Sequence, residues 1–163
     1  MYDFVIRKAT IDDIPSVLEI YSYYVENSVV TSEEVVPSLI EMQDRFSSIT
    51  KNSFPYLVLE CTGVICGYAY AGKFHHRSAY RFTAENTVYV RNGYFRNGYG
   101  KALMLALIKE LRAIGIKNIV AMISSEESIM LHKNLGFSEN GTLKNVEFKF
   151  AQWVDVTFMQ IEL

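Results

Sequence analysis

Thr83-Ala-Glu-Asn-Thr-Val-Tyr-Val90, then Arg91-Asn-Gly-Tyr-Phe-Arg-Asn-Gly-Tyr-Gly-Lys101, then Ala102-Leu-Met-Leu-Ala-Leu-Ile-Lys-Glu-Leu111 follow one another in the middle of the chain. Thr83 to Val90 is rich in β-branched and aromatic residues, which suit a pleated surface, and predicts a strand. Asn92-Gly93 is a turn signal, and from Ala102 to Ile108 seven apolar residues of good helix propensity run without a break. Such a run leaves no polar face, so the helix is expected to lie between the sheet and further protein. Gly98 and Gly100 fall where that helix starts. They lack a Cβ, and the first-turn N–H groups have no intrahelical acceptor, which makes an anion site beside Arg96 and Lys101.

Spacing separates the phosphate loops that could sit there. A nucleoside-triphosphate loop needs Lys directly after its second glycine, where this chain has Tyr99. A dinucleotide fingerprint needs a third glycine at the position held by Leu103. What remains, Phe95-Arg96-Asn97-Gly98-Tyr99-Gly100, resembles the pyrophosphate loop of the GNAT N-acetyltransferases. That loop runs Gln or Arg, two residues, Gly, one residue, then Gly or Ala. Phe95 departs from it at the first position, with Arg96 adjacent.

The 163 residues fit one domain spanning 1–163, long enough to bury roughly two-thirds of the unfolded surface. Half are hydrophobic and 21% charged, an ordinary globular profile. No run of about 18 apolar residues and no signal-peptide pattern occur, so a cytoplasmic protein without a membrane is expected. A net charge of −2 with no basic block argues against nucleic acid as a partner. Cys61 and Cys66 flank Thr62-Gly63 and could face each other across a hairpin, or be reduced core thiols. Neither arrangement makes a metal site, and none is expected.

Outward from the central stretch, Phe4 to Lys8 alternates as a strand. Thr10 begins a helix to about Val25, with Ile14, Leu18, Tyr21 and Val25 on one face. Ser38-Leu39-Ile40-Glu41 is a capping box opening a second helix to about Ser48. Between the helices, Asn27 to Val36 is either a substrate lid or a plain connection. Tyr56 to Glu60 and Val64 to Phe74 read as a hairpin. Gly115 stops the central helix, Asn118 to Ile123 is a strand, and Ser128 to Leu135 is a short helix closed by Gly136. Strands near Gly141 to Val146 and Trp153 to Glu162 complete an α/β mixed sheet in the order β-α-α-β-β-β-α-β-α-β-β.

Further blocks narrow the resemblance. Phe74 through Val90, Ser128 through Phe137, and Gly141 to Leu143 with Trp153 to Gln160 are similar to the phosphinothricin and methionine sulfoximine acetyltransferases. So is Thr31 to Met42, with Glu33, Pro37 and Ser38. The resemblance implies a GNAT fold, a mixed and mostly antiparallel sheet with helices on both faces, and acetyl-CoA as co-substrate. It also implies a small-molecule amine acceptor and a homodimer.

Acetyl transfer needs a neutral amine, so a base must accept a proton. Glu85, an acid within an apolar strand, is either that base or a surface residue held by Arg77 or Arg81; the resemblance puts the family's base here. For the thioester oxyanion the fold implies the main-chain N–H of Val88, with Tyr89 and Val90 continuing along the cofactor arm. His132 stands where the wider superfamily carries a Tyr acid, and is either that acid or a hydrogen-bonded core residue. The cofactor set implied is Val88, Tyr89, Val90, Phe95, Arg96, Asn97, Gly98, Tyr99, Gly100, Lys101 and Ser125, the last preceding Glu126 and Glu127. A carboxylate or phosphinate on the acceptor calls for a planar cation, and Arg77 is the candidate. With it go His75, His76, Tyr80, Glu85, Asn86 and Thr87. Direct transfer in a ternary complex is expected, since neither cysteine lies in these blocks. The alternatives are a GNAT enzyme with another acceptor, such as a different amino acid, a polyamine or a protein N-terminus, or a coenzyme A binding module without turnover.

Overall fold

A computed structural model describes residues 3–163. Its strands are β1 (Phe4–Lys8), β2 (Tyr56–Cys61), β3 (Val64–Lys73), β4 (Thr83–Val90), β5 (Asn118–Ile123), β6 (Ser138–Lys149) and β7 (Gln152–Glu162). Its helices are α1 (Ile14–Asn27), α2 (Leu39–Lys51), α3 (Tyr99–Ala113) and α4 (Glu126–Asn134). The order along the chain is the one expected. One sheet runs β1-β2-β3-β4-β5-β7-β6, antiparallel everywhere except between β4 and β5.

Period-two alternation divides the core across the sheet. In β2, Tyr56 and Val58 pack with Ile14, Val17, Ile20 and Phe46 of α1 and α2, while Leu57 and Leu59 pack with Leu103, Leu107 and Leu111 of α3. The helices therefore cover both faces. Gly67 of β3 brings α3 close, because a Cβ there would meet Leu103 Cδ1 and Tyr89 O at 3.0 Å. Truncating Leu107, fully buried under α3, should cost about 2–5 kcal/mol.

Four expectations need correction. The central helix is covered on one face only: Leu105 is 52% exposed, while Leu103, Met104 and Leu107 are buried, so the apolar run exceeds what the sheet covers. In α1 the inner face adds Val17 and Ile20, and Leu18 is only half-buried. α4 starts at Glu126 because Ser125 caps it, its Oγ accepting from Ser128 N at 3.3 Å. β6 and β7 are longer than read, joined at Phe150 and Ala151, whose φ values of 51° and 58° make the turn without Asn or Gly to announce it. Cys61 and Cys66 are buried free thiols, Cys66 Sγ donating to Val64 O at 3.4 Å, and burial, with Cys61 beside it, pushes the Cys66 thiol up to about 11. No described helix is long and apolar enough to cross a membrane.

The feature that positions the site is a parting of β4 and β5. They pair only at Thr83↔Asn118, Ala84↔Ile119 and Glu85↔Val120, although both strands continue. Beyond Val120, β5 stays bound to β7 as far as Ile123↔Thr157, and β4 stays bound to β3 as far as Gly67↔Val90.

Candidate active site

Hydrogen-bond alternation fixes which main-chain groups face the gap. Arg91 N donates to Cys66 O at 2.8 Å, so the odd residues of β4 bond to β3 and Asn86, Val88 and Val90 turn their amides the other way. Val88 lies past the last position paired with β5, and its N–H faces the gap. The Val90 carbonyl on the same side accepts from Tyr24 Oη at 2.6 Å. A ligand running along β4 thus finds that carbonyl already bonded.

Two cavities fill the gap and share Val30, Val88, Tyr89, Ser125 and Ser128 as walls. The smaller, about 180 Å³, holds Glu85, Asn86 and Thr87. The larger, about 570 Å³, reaches the start of α3.

In the smaller cavity Glu85 is half-buried, and desolvation raises its carboxyl above the ordinary value. It makes no ion pair among the described residues: Arg81 instead donates to Ser78 O and lies over the Phe82 ring. His132 is 2% exposed. Its Nδ1 lies 2.7 Å from Ser128 O, which can only accept, so Nδ1 carries the proton and Nε2 accepts from Asn86 Nδ2 at 3.0 Å. Burial lowers the imidazole pKa, which fits this neutral tautomer. Both ring nitrogens of His132 are thus engaged.

The segment between α1 and α2 walls this cavity through Val30, Thr31 and Ser32. It is held from three sides. Ser124 Oγ donates to Val29 O at 2.8 Å, buried Lys149 Nζ donates to Thr31 O at 2.9 Å, and Ser32 Oγ donates to Glu147 Oε1 at 2.5 Å. Behind it Tyr21 Oη meets Thr31 Oγ1 at 2.7 Å and donates to Glu33, whose carboxylate takes both guanidinium arms of Arg45. That pairing holds the Glu33 pKa down. Ser32, Ser124 and Glu147 were invisible as site residues in sequence, because they come from three separate elements and no short motif joins them.

In the larger cavity α3 presents its N-terminus. Gly98 caps the helix at φ 79°, a left-handed conformation that a side chain resists, and the first helical bond runs from Ala102 N to Gly98 O. The N–H groups of Tyr99, Gly100 and Lys101 thus precede any intrahelical acceptor. Phe95, Arg96, Gly98, Tyr99, Gly100 and Lys101 line this cavity. Asn97 does not; its amide donates to Tyr94 O and Phe95 O. Glu127 faces the cavity and Glu126 lies outside it. Ser125 reaches both cavities while capping α4.

The structure does not gather His75, His76, Arg77 and Tyr80 with these residues. They lie on the connection between β3 and β4 and line neither cavity; Arg77 and Tyr80 are exposed, and the two histidine rings stack on each other. No group of His, Cys, Asp and Glu suited to a metal ion occurs among the described residues.

Comparison with known proteins bears on this geometry. The model of the acetyltransferase (GNAT) domain family matches residues 6–158. The chain is 37% identical over 158 residues to phosphinothricin N-acetyltransferase of Alcaligenes faecalis, covering 95% of this chain and 80% of that one. It is 37% identical over 161 residues to the L-methionine sulfoximine/L-methionine sulfone acetyltransferase of Pseudomonas aeruginosa, covering 97% and 94%. The crystal structure of a phosphinothricin acetyltransferase from Sinorhizobium meliloti in complex with AcCoA superimposes with a TM-score of 0.96 at 41% identity, covering 98% of this chain and 88% of that one.

Proposed function

The chain belongs to the GNAT acetyltransferases, and on that premise we propose that it acetylates the α-amine of a small amino-acid-like acceptor. The acceptor is of the methionine sulfoximine, methionine sulfone or phosphinothricin type, and transfer is direct, within a ternary complex. One observation carries this reading: a cavity holding Glu85 and a cavity holding the α3 N-terminus meet at Val88, where β4 and β5 part.

Acetyl-CoA is the acyl donor. Its diphosphate suits the first-turn N–H groups of α3, where the helix dipole favours negative charge and Arg96 and Lys101 add to it. Its thioester then reaches the Val88 N–H, which stabilises the oxyanion formed as the amine attacks. Glu85 accepts the amine proton, and its raised pKa brings it nearer to the working pH of a base. Coenzyme A leaves as a thiolate that can take its proton from solvent, so the step needs no side-chain acid. His132 accordingly acts by positioning Asn86. The buried cysteines line neither cavity, which supports direct transfer over an acyl-enzyme. For Arg77 to hold the acceptor carboxylate, its connection must fold over the Glu85 end of β4.

We extend the reading to a cytoplasmic homodimer with neither metal nor nucleic acid as partner. Leu143, Phe148, Phe150 and Trp153, all at least half exposed on the β6–β7 hairpin, support a self-association face. The enzymatic reading is tested by incubating the protein with acetyl-CoA and each acceptor, following free thiol and product mass. Thiol release with an acetylated amine is expected; acetyl-CoA binding without thiol release on any amine would instead leave a binding module.

A further inference from the structure

The smaller cavity contains a second carboxylate that the transfer step does not use. Glu147 comes from β6, and β5 and β7 lie between β6 and β4 in the sheet, so Glu147 and Glu85 enter the cavity from opposite sides. One oxygen of Glu147 is fixed by Ser32 Oγ at 2.5 Å, which leaves the other without a hydrogen-bond donor among the described residues. No lysine or arginine lines this cavity. Lys149, behind the wall on Thr31 O, is the cation that acts on Glu147, while Arg45 pairs with Glu33 and Glu41, and Lys144 with Asp155. His132 is held by Asn86 and Ser128.

We propose that Glu147 is a specificity-determining residue that selects the charge at the far end of the acceptor. Resting on the amino-acid reading above, with the α-amine at Glu85, the acceptor side chain points toward Glu147. A phosphinate there places anion against anion in a cavity that no lysine or arginine lines, and like charges at short range disfavour binding. A sulfoximine is neutral and its N–H can donate to the open Glu147 oxygen. A sulfone is neutral but has acceptors only. The expected order is therefore sulfoximine, then sulfone, then phosphinothricin.

The test is steady-state acetylation of the three acceptors by the full chain and by Glu147→Gln, which keeps an oxygen for Ser32 and removes the charge. Wild type should favour methionine sulfoximine over phosphinothricin by at least tenfold in kcat/KM. Glu147→Gln should narrow that ratio at least fivefold, with the change carried by the acceptor KM. An unchanged ratio, or an equal loss on all three acceptors, overturns the inference while leaving the amino-acid reading intact. If wild type acetylates none of the three, that reading fails and the role of Glu147 fails with it.

Discussion

Burial raises the pKa of the Glu85 carboxyl and lowers that of the His132 imidazole, and the two shifts act on stability in opposite directions along the pH scale. A carboxyl raised in the fold contributes stability below its unfolded value, about pH 4.3, and loses it as pH rises through the folded value. Glu85→Gln should therefore melt at a higher temperature than wild type at pH 8, with the advantage gone by about pH 4; equal melting at both would contradict a desolvated carboxylate. A lowered imidazole contributes above about pH 6.5 and loses that contribution as pH falls through the folded value. His132→Asn should flatten the melting profile over that acid range. On the proposal that His132 acts through Asn86, the same variant should raise the acceptor KM by about tenfold and keep the alkaline side of the rate profile, whereas a catalytic acid would take that side with it. The sequence left Glu85 as either a base or a surface acid held by Arg77 or Arg81, and its place in the cavity wall, unpaired among the described residues, depends on where β4 and β5 part. The neutral tautomer of His132 was not legible either, since it depends on Ser128 O and Asn86 meeting the ring in space.

The glycine-bearing start of α3 was readable from spacing alone, because a left-handed cap and open first-turn amides are local properties. Gly98→Ala should cost about 1–2 kcal/mol at that φ and raise the KM for acetyl-CoA while sparing that of the acceptor. The segment between α1 and α2 is the opposite case. It carries no period, and what makes it a cavity wall is Ser124, just after β5, with Glu147 and Lys149 of β6, all about a hundred residues later. Lys149→Met would leave the buried Thr31 carbonyl without its donor, a loss of about 1–3 kcal/mol. It should loosen this wall, seen as faster amide exchange over residues 28–33, and raise the acceptor KM more than the acetyl-CoA KM. Slow exchange there in the variant would show the clamp to be dispensable. The bare outer face of α3 shows the limit of reading hydrophobic runs: seven apolar residues specify a helix, but the sheet decides how many are covered.

At the scale of the whole molecule, the order of strands and helices followed from periodicity and turn residues, but the parting of β4 from β5 did not. Beyond Glu85, β5 follows β7 and β4 follows β3, so the two halves of the sheet diverge, and that divergence depends on pairings between residues distant in sequence. In the proposed reaction the same parting makes room for donor and acceptor to meet. Light scattering on wild type and Trp153→Asp tests the proposed dimer, with a mass near twice 18.7 kDa expected for the first and a shift toward the monomer for the second. A monomeric wild type would leave the apolar hairpin unexplained. Acetyl transfer at this parting is tested most directly by thiol release from acetyl-CoA with methionine sulfoximine, from pH 5 to 9, for wild type and Glu85→Gln. Wild type should show an acid limb set by the raised carboxyl, and the variant should lose about a hundredfold or more of kcat and that limb together. Full activity of Glu85→Gln across neutral pH would contradict it.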